Sequence, residues 1–129
     1  METNPEEPAL PQTRINRGDV FWVAADVEGT KQSNQHPHVV VQDDVFNHSR
    51  VATVVGCALT TNLRRACEPG NVLLDPGEGG LPRQSAVVVS LVSSVEKARL
   101  GERLGTLSAE RVEQVLAGLR FLQATYFVR

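Results

Sequence analysis

Two valine runs, Val39-Val40-Val41 and Val87-Val88-Val89, set the tightest limit on what this chain can fold into. A strand with one wet face alternates apolar and polar residues, whereas three β-branched residues in a row need apolar surroundings on both sides. Such strands are sandwiched, or they curl around a core. In a chain of 129 residues a small barrel achieves this economically. Strands are expected at residues 20–25, 39–42, 52–59, 72–74 and 86–92, each short and bounded by Gly, Pro, Asn or Asp. Near the C-terminus Val112, Val115, Leu116, Leu119 and Leu122 recur at helical spacing after Ser108, a good N-cap residue. The expected class is mainly β (α+β): an SH3-like small β-barrel with one C-terminal amphipathic helix.

The totals bound the partners and the compartment. Residues 1–14 hold Pro5, Pro8, Pro11 and three glutamates with little apolar content, a composition that predicts a flexible tail ahead of a single domain at 15–129. A formal net charge of −2 argues against a passive RNA-binding module, which draws affinity from clustered Lys and Arg. It argues less against a nuclease, which needs a local groove and quick product release. Cys57 and Cys67 fit no CxxC or Cys/His spacing and read as a core thiol and a loop thiol in a reducing cytoplasm. No apolar stretch reaches membrane-spanning length, and the acidic, proline-bearing start is unlike a signal peptide. His36, His38 and His48 lack the helical or cysteine partners of a metal site, so neither metal nor cofactor is expected. Gly77-Glu78-Gly79-Gly80 lacks the GK[ST] of a phosphate loop and reads as a turn.

The chemistry-bearing residues gather at strand ends. A polar loop led by Gly29 and carrying Gln32, Ser33, Asn34 and Gln35 runs into His36-Pro37-His38 at the mouth of the first valine strand. Uncharged donors and acceptors of this kind suit the edges of single-stranded bases, and equally suit an ordinary polar turn. Pro37 favours extended backbone at His36 and fixes φ at its own position, and in extended backbone His36 and His38 point the same way, about 7 Å apart. Two imidazoles on one face can act as base and acid, or be solvated edge residues. Thr60, Thr61 and Asn62 form a second polar cluster at the end of the 52–59 strand, able to donate to a phosphate oxygen. Arg64 and Arg65 follow, as phosphate-facing cations or as solvated loop residues.

Taken in order, these motifs resemble the MazF/PemK family of ribosome-independent endoribonuclease toxins over residues 17–122. Arg17-Gly18-Asp19-Val20-Phe21-Trp22-Val23 is similar to the family's opening RGDV(W/Y) strand, and Gly29 to Pro37 to its glycine-and-glutamine loop before RPVVV. Gln42-Asp43-Asp44 with Asn47 and Ser49 resembles its QND…N…S turn, and Leu59-Thr60 the step that ends its third strand. Gly80-Leu81-Pro82-Arg83-Gln84-Ser85 resembles its GL…(D/E)S element. Val95-Glu96-Lys97-Ala98-Arg99-Leu100 resembles its I-D-K-x-R-L segment. The resemblance implies metal-independent cleavage of single-stranded RNA by attack of the 2′-hydroxyl on the adjacent phosphate. It further implies a cytoplasmic homodimer neutralised by a cognate MazE-like antitoxin, and an RNA groove shaped by the loop at Gln32–Gln35. The catalytic pair of the family is an arginine before the proline and a threonine at the strand end. Thr60 matches the threonine, while His36 stands where the arginine would be.

The resemblance therefore assigns catalysis to His36 and Thr60. It makes Gln32, Ser33, Asn34, Gln35, His38, Thr61, Asn62, Arg64 and Arg65 the candidate substrate contacts. A second departure lies on the later valine strand, where Ser90-Leu91-Val92-Ser93 replaces an E-Q-x-R pattern and removes another arginine. An arginine offers a permanent cation to the phosphorane, whereas histidine moves protons near neutrality. Two other readings stand beside the nuclease. One is a catalytically weakened family member that binds antitoxin or RNA. The other is a gyrase-targeting toxin of the CcdB type, ranked low because the chain ends Tyr126-Phe127-Val128-Arg129 where that type typically ends Trp-Gly-Ile.

Overall fold

The valine runs are buried as their composition requires. Val39 and Val40 are almost fully buried, as are Val87, Val88 and Val89. The computed structural model describes residues 14–24 and 36–127. The expected tail, apart from Arg14, and the loop carrying Gln32–Gln35 lie outside the described residues.

One antiparallel sheet contains six strands: β1 (Asp19–Val23), β2 (His36–Val40), β3 (Thr53–Thr60), β4 (Val72–Leu74), β5 (Ser85–Glu96) and β6 (Leu100–Thr106), in the order β4-β5-β3-β2-β1-β6. Two helices are added, a single turn α1 (Asp44–Asn47) and the long α2 (Ala109–Phe127). The mainly β class with a C-terminal helix is thus as expected, with one difference: the sheet is not closed, because edge strands β4 and β6 do not pair. The glycine turn takes up the space where closure would occur. Gly79 and Gly80 adopt φ of +64° and +76°, and a Cβ on Gly80 would sit 1.9 Å from the Leu104 carbonyl oxygen of β6. Only bare backbone can lie that close, so the turn packs on β6 in place of a strand.

Both faces of the sheet carry apolar clusters. The inner face joins Val20, Val39, Cys57, Leu74, Val87 and Val89 to Val115 of α2, with Val112, Leu116, Leu119 and Leu122 packed against them. The outer face holds a smaller cluster of Phe21, Val23, Val40, Val54 and Val95. Ser108 caps α2 as expected, its Oγ accepting from the Arg111 backbone N–H at 3.2 Å. Burial pushes the Cys57 thiol up to about 12, which keeps it protonated and inert, while Cys67 is exposed.

Strand β6 escaped the sequence reading. Leu100-Gly101-Glu102-Arg103-Leu104-Gly105-Thr106 has two glycines, two charges and one β-branched residue, a poor intrinsic strand held by pairing with β1. The charged segment before it is similarly more than a surface turn: Lys97 Nζ donates to the carbonyls of Asn47 and Ser49 at 3.0 and 3.1 Å. These bonds pin α1, whose Asn47 is buried and bonded to Gln42 and Asp44. The Gln42-Asp43-Asp44 motif is therefore a builder of structure.

Candidate active site

The site arises where the sheet comes apart. Strands β2 and β3 pair at Val40–Gly56, Val39–Cys57 and His38–Ala58. Continued by two residues, that register sets His36 opposite Thr60, yet the ladder stops at His38 although both strands run on. Pro37 lies in this stretch and has no N–H to donate. On the other side of β3 the pairing with β5 slips between Cys57–Val92 and Leu59–Val87, so residues 88–91 bulge from the ladder. The two defects share one end of the sheet and open a groove of about 920 Å³.

The groove's charge is one-sided. Among the described residues its lining includes His36, His38, Arg65 and Arg83 and no carboxylate, in a chain of net charge −2. Thr60 and Thr61 lie on one wall with Ser85, Ser90 and Ser93. Trp22, Leu81, Leu91 and Leu104 supply an apolar floor. Such a surface fits a phosphodiester with a stacked base better than a free anion.

The expected residues within the described stretch each have a definite place, whereas Gln32, Ser33, Asn34 and Gln35 lie outside it. His36 is exposed at the first position of β2, facing Val23 of β1. His38, one step inward on the same face, is half-buried, and its Nδ1 lies 3.1 Å from the His36 carbonyl oxygen. Burial lowers the His38 pKa below the ordinary imidazole value, and the charges of His36 and Arg99 act in the same direction, against the raising effect of that hydrogen bond. The Thr60 hydroxyl oxygen accepts the Asn62 backbone N–H at 3.0 Å, so its own proton remains available to a ligand. Thr61 lines the groove beside it.

Asn62 and Arg64 are outside the groove lining. The Asn62 side chain caps the 3-10 turn Leu63–Cys67 by accepting from the Arg64 backbone N–H at 3.3 Å. Arg65 does line the groove, with its Nε bonded to both carboxylate oxygens of Glu68 at 3.2 and 3.0 Å. Sequence reasoning passed over Arg83, an exposed groove residue whose guanidinium has no hydrogen bond or ion pair among the described residues. It stood within the Gly80–Ser85 motif, and no local spacing marked it as a cation facing Thr60's groove.

Residues 16–122 match the family model described as PemK-like, MazF-like toxin of type II toxin–antitoxin system. The chain belongs to this family. Among curated relatives, Endoribonuclease MazF6 of Mycobacterium tuberculosis is 36% identical over 109 residues, covering 82% of this chain and 94% of the relative. Endoribonuclease EndoA of Bacillus subtilis is 28% identical over 102 residues, covering 78% and 87%. The fold matches a MazE–MazF crystal structure from Deinococcus radiodurans with a TM-score of 0.73 at 20% identity, covering 88% of this chain and 98% of that one. It also matches a mycobacterial endoribonuclease in complex with its cognate antitoxin, with a TM-score of 0.69 at 23% identity over 85% and 95% of the two chains.

Proposed function

We propose that the chain is the toxin of a type II toxin–antitoxin pair and cleaves single-stranded RNA in this groove, without a metal, by attack of a ribose 2′-hydroxyl on the neighbouring phosphate. The observation that carries this is the groove at the split between β2 and β3, where an available Thr60 hydroxyl meets two imidazoles and two guanidiniums with no carboxylate among the described lining residues. Phosphate is the ligand such a wall favours. Thr60 donates to the phosphorane oxygen, and His36 stands in for the family arginine at the reacting phosphate. The remaining cation comes from Arg83 and Arg65, since the later strand offers Ser90 and Ser93 instead of an arginine.

The same reading gives a cytoplasmic homodimer held inactive by a MazE-like antitoxin. Leu91, Phe121, Tyr126 and Phe127 are exposed in a single protomer, apolar surface that a partner would cover. Among the described residues no helix is long and apolar enough to cross a membrane. Family membership and endoribonuclease relatives give no support to a gyrase-poisoning role.

The test is cleavage of a long RNA in EDTA with end mapping. A 2′,3′-cyclic phosphate and a free 5′-hydroxyl are expected, and a single 2′-deoxy substitution at the cut site blocks the reaction. Cutting of the deoxy substrate, or loss of activity in EDTA, refutes intramolecular attack. A parent protein inert towards RNA that still binds antitoxin establishes the weakened binder instead.

A further inference from the structure

Resting on the ribonuclease reading, we propose that His38 is the general base of the reaction, with Nδ1–H held by the His36 carbonyl and Nε2 open to receive the proton of the RNA 2′-hydroxyl. The family resemblance places no histidine at this position. The inference comes from the hydrogen bond and from where the ring stands.

A carbonyl oxygen only accepts, so the 3.1 Å contact between His38 Nδ1 and the His36 oxygen requires the hydrogen on Nδ1. In the neutral ring the lone pair then belongs to Nε2, the atom farther from the backbone. The partner oxygen is two residues away on the same strand, so the bond fixes ring orientation without drawing on any other element. His38 shares the outer face of the sheet with His36 and with Thr60, which the strand register sets opposite His36, and all three line the groove.

The surroundings keep that base unprotonated at neutral pH. Half-burial disfavours the imidazolium, as do His36 on its own strand and Arg99 from the turn after β5, whose guanidinium donates to the Ala24 carbonyl. The residues opposite His38 on β1 and β3 are Phe21 and Ala58, which carry no charge, and Arg65 and Arg83 stand elsewhere in the groove. Among the described lining residues no carboxylate works against them.

The step balances as follows. The 2′-oxygen gives its proton to His38 Nε2 and forms the new P–O bond, Thr60 donates to a non-bridging oxygen, and the P–O5′ bond breaks. The departing 5′-oxygen takes a proton from His36. The products are a 2′,3′-cyclic phosphate and a 5′-hydroxyl, with the proton on His38 returned to solvent and the one given up by His36 regained from it. Two neighbouring imidazoles thus divide between them the proton transfers that arginine is poorly suited to make.

The experiment pairs ordinary RNA with RNA bearing sulfur in place of the 5′-oxygen at the cut site, a leaving group that needs no acid. Single-turnover rates are measured for the full-length parent, His36→Ala, His38→Ala and His38→Asn. Asparagine keeps a donor near the His36 carbonyl and removes the base. Both His38 variants should lose on the order of 10²- to 10⁴-fold on both substrates and lose the acidic limb of the pH profile below about pH 6.5. His36→Ala should be slow on the oxygen substrate and recover on the sulfur one. Nitrogen-15 NMR of the parent should show His38 as the Nδ1–H tautomer. The assignment is overturned if His38→Asn cuts at the parental rate, if its defect disappears with the sulfur leaving group, or if the proton lies on Nε2. A parent that cuts neither RNA overturns the ribonuclease reading itself, whereas a parent that cuts with His38 indifferent overturns only this assignment.

Discussion

On the proposed mechanism, replacing Thr60 by valine removes a donor to the reacting phosphate and little else. Among the described residues the hydroxyl makes one hydrogen bond, accepting the Asn62 N–H at 3.0 Å, and Asn62 is exposed. Losing that acceptor leaves a backbone N–H that water can reach, a cost of about 0.5–1 kcal/mol and well short of unfolding the domain. Valine is isosteric and β-branched, so it suits the last position of β3 and leaves the pairing of Thr60 with Ala86 intact. The catalytic loss is much larger. A positioned donor to a phosphorane oxygen in a partly desolvated groove contributes about 2.7–4 kcal/mol, so the single-turnover rate should fall on the order of 10²- to 10³-fold. Thr60→Ser restores both roles of the hydroxyl and should recover most of the rate. Quenched-fluorescence cleavage of a short RNA, alongside thermal melting, separates the two effects. If Thr60→Val cuts as fast as the parent while Thr61→Val does not, the catalytic hydroxyl has been placed one residue too early.

Three further outcomes are expected. Arg83→Gln should leave the melting temperature unchanged, because the side chain has no partner among the described residues, and should weaken RNA binding with the salt dependence of log K reduced by about 0.7 per lost phosphate contact. Gly118→Ala should destabilise the protein by about 1–3 kcal/mol in chemical denaturation, although alanine ordinarily favours a helix, because its Cβ would lie 2.1 Å from the Gly70 carbonyl oxygen. The Arg111 hydrogen bonds, helped by the Asp75 N–H, hold the Glu78 carboxyl below its ordinary value. A depressed folded pKa adds stability that is present above the unfolded value and lost as pH falls through the folded one, so melting curves of Glu78→Gln should lose part of the parent's decline below about pH 4.5.

What the sequence revealed follows from which forces are local. The valine runs, the helical spacing after Ser108 and the Asp43 turn express burial or a side chain bonding its own neighbours, and all three are present in the structure. Strand β6 is set by pairing with β1 across more than seventy residues, and its glycines and charges carry no strand signal. The open sheet has a similar cause. Periodicity shows that a strand is buried, whereas the failure of β4 and β6 to meet depends on a glycine turn packing against a distant backbone. At the site, motif order located His36, His38, Thr60 and Thr61 on one groove. It did not distinguish Arg64, which faces elsewhere, from Arg65 and Arg83, because direction at a loop is decided by the cap at Asn62 and by tertiary packing.

The groove also suggests how a chain can lose two arginines from a phosphate-cleaving surface and remain suited to the task. A permanent cation stabilises charge but exchanges protons poorly, because its pKa lies far above neutrality. Placing histidines at 36 and 38 exchanges part of the electrostatic contribution for proton transfer, and that is productive only if positive charge remains elsewhere and no acid neutralises it. In the described lining Arg83 has no ion pair, whereas Arg65 is bonded to Glu68, so Arg83 is the cation left to the phosphate. On the proposed reading, substrate meets a small basic patch of described residues on a weakly acidic protein. Such an arrangement favours capture of the scissile phosphate over general adhesion to RNA, which lets product leave once the bond is cut.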